Sequence, residues 1–198
     1  PSSKRPLMLL DPCYTNYLDF GKRLSIPIVT GLREISNTGA FNPLDLDEIE
    51  KIISTHNPCG LLVIPYDNPT GQFLTQREIN NLAKICIKHN IWMVSDEAYR
   101  QLYYNENESS SIWKITENEV TGISGSRISI ESASKVWNAC GLRIGGLVTD
   151  SKTFHIKAVS EYTTNLSANA IGQEIFGALA HEPHDDLKNW YNSQRNYY

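Results

Sequence analysis

Apolar positions along the chain alternate between short continuous runs and longer stretches of helical period. Leu7–Leu10, Gly60–Ile64, Ile91–Val94, Arg127–Ile130 and Leu142–Val148 are the short runs. Segments this brief, apolar at nearly every position and flanked by Pro, Gly or Asn, predict strands buried on both faces, as in a parallel sheet covered by helices. Between them, Leu44–Thr55 places apolar residues at 46, 49, 52 and 53, one face of a helix. Thr75-Gln-Arg-Glu78 is a capping box, and apolar residues recur after it at 79, 82, 83, 86 and 87 until His89-Asn90. The β-α-β-α-β order with short joints predicts right-handed crossovers and an open, doubly wound sheet. From Ser151 onward no further strand is predicted. Lys152–Tyr162, Ala168–Ala180 and Asp185–Tyr198 read as helices, and the last shows no stop signal. The polar tract Asn105–Ser111 reads as a surface loop.

Composition narrows the function classes. The chain has 198 residues, 40% apolar and 20% charged, with 4 Trp, 10 Tyr and 5 Phe, which argues for a folded domain. Eighteen basic against 22 acidic side chains give a net charge of −4, so no basic field for nucleic acid is expected. No apolar run approaches the ~18 residues of a membrane span, and the opening Pro1–Pro12 lacks the pattern of a signal peptide. The four cysteines, Cys13, Cys59, Cys86 and Cys140, form no CxxC pair. They read as reduced thiols of a soluble cytoplasmic protein.

In open α/β sheets, ligands bind beyond the carboxyl ends of the strands. The residues following each predicted strand are Asp11-Pro-Cys-Tyr14, Pro65-Tyr-Asp-Asn-Pro-Thr-Gly71, Ser95-Asp-Glu-Ala-Tyr99 and Glu131-Ser-Ala-Ser-Lys135, with Arg143 eight residues later. Each has an ordinary reading alone. Asn68–Gly71 suits a turn, Asp96-Glu97 a helix cap, Lys135 a solvated surface, Arg143 a salt bridge and Tyr14 core packing. Together they form a concentrated set of polar and aromatic groups at one end of the sheet.

The combination Asn68-Pro-Thr-Gly71, Asp96-Glu-Ala-Tyr99, Ser132-Ala-Ser-Lys135 and Gly141-Leu-Arg143-Ile-Gly145 resembles the class I/II aminotransferases, pyridoxal-phosphate (PLP) enzymes of fold type I. The spacings, 28 residues from Asn68 to Asp96 and 39 from Asp96 to Lys135, are similar too. The resemblance implies a three-layer α/β/α sandwich with a mostly parallel sheet. It implies that Lys135 carries the cofactor as a Schiff base and then moves the proton between substrate and cofactor. Asp96 would pair with the pyridine nitrogen, Asn68 and Tyr99 would bond the phenolic oxygen, Ser132 and Arg143 would grip the phosphate, and Tyr14 would stack on the ring. Asp67 stands where many members have a second Asn, a departure expected to have little consequence.

The family's Gly/Ser-rich phosphate loop and the small-domain Arg that clamps the substrate carboxylate are not found in the sequence. Residues 1–184 are therefore expected to be the central part of the large domain, and 185–198 the start of a helix leading to a small domain. The implied activity is transfer of an amino group from an amino acid to a 2-oxo acid by a homodimer. Alternatives on the same scaffold are a C–S lyase or other amino-acid lyase, and a non-catalytic PLP-binding regulatory domain. His181-Glu-Pro-His184-Asp-Asp186 lacks the HExxH spacing and reads as helix-start chemistry, so no metal is expected.

Overall fold

The structure, a computed structural model, describes residues 5–104 and 109–197. Asn105–Glu108 of the polar tract, the first four residues and Tyr198 lie outside the described residues. Six strands form one sheet: β1 (Leu7–Asp11), β2 (Ile28–Leu32), β3 (Gly60–Val63), β4 (Trp92–Asp96), β5 (Arg127–Ser132) and β6 (Gly145–Thr149). Their spatial order is β2-β1-β3-β4-β5-β6. The first five run parallel, and β6 pairs antiparallel with β5.

The run of apolar residues in each central strand follows from burial on both faces. Met8, Leu10, Leu61, Val63 and Met93 face one layer, formed by α2 (Leu46–His56) and α3 (Gln76–Lys88), through Ile49, Ile53, Ile79, Leu82 and Cys86. Leu9, Leu62 and Ile64 face the other, against Tyr14, Tyr17 and Leu18 at the start of α1 (Thr15–Arg23). At about 1.5–3 kcal/mol for each fully buried large apolar side chain, this alternation fixes the register.

Helix starts follow local chemistry. The Thr75 hydroxyl accepts from the Glu78 amide while the Glu78 carboxylate accepts from the Thr75 amide, completing the capping box. Asp45 accepts from the Glu48 amide and starts α2 two residues later than the pattern predicts.

Two expectations are corrected. The sequence reading assigns neither α1 nor β2; β2 is a partly exposed edge strand containing Thr30 and Gly31, so it lacks a continuous apolar run. The last predicted strand begins later, at Gly145, and is exposed rather than buried on both faces. Cys140–Leu142 instead makes a 3₁₀ turn, and Arg143 turns the chain through a left-handed backbone with φ of +53°. A Cβ on Gly145 would lie 2.8 Å from the Glu131 carbonyl oxygen, so only glycine fits where β6 meets β5.

The chain continues through α4 (Ala133–Val136, between β5 and β6), which the sequence reading does not assign, and then α5 (Lys152–Thr163), α6 (Ala170–Gly177) and α7 (His184–Tyr197), as the helical period of the last third predicts. No described helix is long and apolar enough to cross a membrane.

Candidate active site

The carboxyl ends of β1, β3, β4 and β5 open on one cleft of about 330 Å³. Tyr14, Asn68, Asp96, Tyr99, Ser132, Lys135 and Arg143 all line it. All seven candidate site residues named from the sequence are thus brought to one place, with Lys135 and Asp96 bordering the same space.

Each is positioned by its element. Tyr14 is the residue before α1, reached from β1 through Asp11-Pro-Cys13. Asn68 sits in a tight loop closed by Asp67 and Gly71: the Gly71 amide donates to the Asp67 carbonyl at 2.9 Å and the Asp67 amide to the Gln72 carbonyl at 2.9 Å. Gly71 has φ of +70°, a conformation that suits glycine and explains its place in the motif.

Asp96 ends β4, and both its oxygens are engaged. Oδ2 accepts from the Tyr17 hydroxyl at 2.6 Å, and Oδ1 accepts from the Ala98 amide at 3.0 Å. The cap reading of Asp96 is thereby replaced by a local turn. Tyr99 follows in that turn, its carbonyl accepting from the Leu102 amide at 2.8 Å.

Ser132 closes β5 and starts α4; its hydroxyl accepts from the Ser134 amide at 3.1 Å. Lys135 lies in this single turn of helix, exposed, with no side-chain partner among the described residues. The Arg143 guanidinium donates to the Cys140 carbonyl at 3.0 Å and is otherwise open.

Electrostatics separates the members of the acidic pair. The Glu97 carboxyl, 1% exposed, is pushed above its ordinary pKa by burial, opposed by bonds from Ser95 and by Arg100. Its Oε1 accepts from the Ser95 and Ser111 hydroxyls and the Ile112 amide, pinning the segment around Ser111 against the end of β4. Glu97 is structural, while Asp96 faces the cleft. Burial, and secondarily the Asp96 charge, raises the Tyr17 phenol far above its usual value, so Tyr17 remains a donor. Burial likewise pushes Cys13 up to about 11 and Cys86 up to about 12, and all four cysteines are free thiols.

Sequence reasoning missed two supporting residues. Tyr17 lies three positions after Tyr14 on α1, where helical spacing could have shown it. Arg33, at the end of an unassigned strand, gave no signal; it pairs with Asp67 at 2.8 Å, both side chains buried. The Asp67 departure therefore has a structural consequence, contrary to expectation. Among the described residues no group of three or more His, Cys, Asp or Glu is placed to hold a metal ion.

The ends of the sheet's strands thus gather an open lysine, a hydrogen-bonded carboxylate, an arginine and two tyrosines around one cleft of an α/β domain. The profile of the family described as aminotransferase class I and II matches residues 3–196, and the chain belongs to that family.

Relatives include an aspartate aminotransferase of Bacillus sp. strain YM-2, 32% identical over 112 residues, covering 57% of this chain and 27% of the relative. A kynurenine–oxoglutarate transaminase of Rattus norvegicus is 27% identical over 150 residues, covering 74% of this chain and 31% of the relative. In fold, the chain is similar to the solved PLP-bound C–S lyase of Staphylococcus hominis, with a TM-score of 0.81 at 18% identity over 100% of this chain and 47% of that one. The chain thus spans about a third of the curated relatives and about half of the solved chain.

Proposed function

We propose that this chain forms the cofactor-binding part of a PLP-dependent aminotransferase that moves an amino group from an amino acid to a 2-oxo acid. The observation that carries this reading is the convergence of all seven motif residues on one cleft. The donor set fits the group: an uncommitted amine, an engaged carboxylate, a guanidinium with free N–H groups, and a half-buried aromatic ring border the same space.

When bound, PLP supplies an aldehyde for amines and a cationic ring that withdraws electrons from the substrate carbon. Lys135 would hold the cofactor covalently and, once displaced by substrate, remove and return the proton at the substrate Cα. Asp96 would keep a proton on the ring nitrogen, the Tyr17 hydroxyl fixing the direction of its carboxylate. Asn68 and Tyr99 would donate to the phenolic oxygen, Ser132 and Arg143 would bind the phosphate, and Tyr14 would cover one ring face.

The reading extends to a homodimer in the cytoplasm, supported by the free thiols and by exposed apolar side chains such as Leu166 and Ile171. It takes 1–184 as the large domain and 185–198 as the beginning of a connecting helix; that division falls at the first residues of α7. The relatives' names point to different amino acids, so the donor is left open.

The test uses the protein as its gene encodes it. With PLP and borohydride, Lys135 should acquire a stable label, and Lys135→Ala should carry none. Adding amino acids should release the 2-oxo acid and leave the cofactor in its amine form. Ammonia with pyruvate instead would establish the lyase, and a labelled protein without turnover the binding domain.

A further inference from the structure

Arg33 follows β2, and its side chain, 4% exposed, runs beneath the loops at the carboxyl ends of β1 and β3. One terminal nitrogen donates to Asp67 Oδ2 at 2.8 Å and also to the Pro12 carbonyl; the other donates to Gln72 Oε1 at 2.9 Å. Its backbone amide donates to the Asp11 carbonyl at 2.7 Å, and the Phe41 ring lies 5.4 Å from the guanidinium carbon. Asp67 Oδ2 accepts a second bond from the Thr70 hydroxyl. One planar, permanently charged group thus ties Asp11–Pro12, which leads to Tyr14, to Asp67–Gln72, which contains Asn68.

We infer that Arg33, neutralised by Asp67, is a positioning residue that fixes Asn68 and Tyr14 relative to each other across the cleft. This rests on the reading of those two residues as cofactor contacts. The fork geometry matters: an ammonium in its place keeps the charge but cannot hold the same spread of acceptors in one plane. Asp67 matters equally, because an asparagine there would leave a buried guanidinium without its counter-charge. The amide pair Arg33→Gln with Asp67→Asn removes both charges together and leaves neither buried alone.

The test is a pH titration of the cofactor's absorption band in the full protein loaded with PLP, for wild type, Arg33→Lys and the double variant Arg33→Gln with Asp67→Asn. A donor on the phenolic oxygen favours the unprotonated chromophore, so loosening Asn68 should raise the midpoint by about half a pH unit or more in both variants. Folding is verified by a cooperative thermal transition, and the charge-neutral pair serves should Arg33→Lys not fold. In an Asn68→Ala background the same changes should add no further shift.

An unchanged midpoint in a folded variant overturns the inference, as does a shift that persists undiminished without Asn68. Failure of the site reading is separately visible: wild type would then take no borohydride-stable label on Lys135.

Discussion

The first two-thirds of the chain and the last third are built differently. From Leu7 to Val136 every strand except the edge strand β2 is covered on both sides, and every hydrophobic side chain in the buried core lies in this part. Beyond it, β6, α5 and α6 expose Leu147, Val148, Ile156, Val159, Ile171 and Ile175. The last third is anchored by aromatic contacts: Trp137 stacks on Trp190 at 5.4 Å and meets Tyr191 at 4.7 Å, while Arg195 lies 4.2 Å from the Tyr103 ring.

The cleft straddles the boundary between these regions. On one side, Asp96 accepts from the Tyr17 hydroxyl, and Asn68 follows Asp67 of the buried Arg33–Asp67 pair. On the other, Lys135 and Arg143 stand on short exposed turns. The fold thus ties down the carboxylate of Asp96 and the loop carrying Asn68, and leaves the side chains of Lys135 and Arg143 open.

The largest test of this contrast is a pair of truncations. Ile79 is fully buried between α3 and the sheet, so Ile79→Ala should cost about 2–5 kcal/mol through lost transfer energy and a cavity. Ile171 is 76% exposed, and Ile171→Ala in this chain should change stability by less than about 0.5 kcal/mol. Urea unfolding of both variants measures the difference. Equal losses would erase the distinction between a packed body and an open last third.

The same contrast governs what the sequence made legible. Strands buried on both faces announced themselves, and the capping box located α3, because two-sided burial and cap chemistry are local properties of the chain. The site residues were legible because strand ends gather in a doubly wound sheet. What stayed hidden depends on tertiary contact: β2 is an edge strand with one poorly covered face, and α1 has no side-chain cap at Tyr14. The partnership of Arg33 with Asp67 joins residues 34 positions apart across two strands, and no periodicity reports it.

Glu97 sharpens the comparison within the body. Burial dominates its titration, so the folded protein holds the proton to higher pH than the unfolded chain, whose carboxyl loses it near the ordinary 4.5. The native state then binds more protons in that window, and wild-type stability should fall as pH rises from about 4.5 through the raised value, by at most ~1.4 kcal/mol per pH unit. Glu97→Gln cannot ionise and should lack this contribution. Unfolding free energies of the two proteins across acidic to neutral pH should diverge in favour of the glutamine variant. Parallel curves would mean that Ser95, Ser111, Ile112 and Arg100 compensate the buried charge fully.

The smallest expected effect tests whether the body's support reaches the site. Tyr17→Phe keeps the ring that packs against Leu62 and Tyr14 but deletes the hydroxyl that donates to Asp96. Asp96 then retains the Ala98 amide alone, through its other oxygen. One hydrogen bond to a carboxylate contributes about 1.5–3 kcal/mol at most, and a rotated carboxylate or water recovers part of it, so PLP binding should weaken about fivefold. Thermal stability should move little, because the deleted oxygen bonds only a partly solvated group. Absorbance titration with PLP alongside thermal melts separates the two readouts. A phenylalanine variant that binds as wild type would show that the Ala98 turn suffices to aim Asp96. One that unfolds early while binding normally would place Tyr17 with the core instead of the cleft.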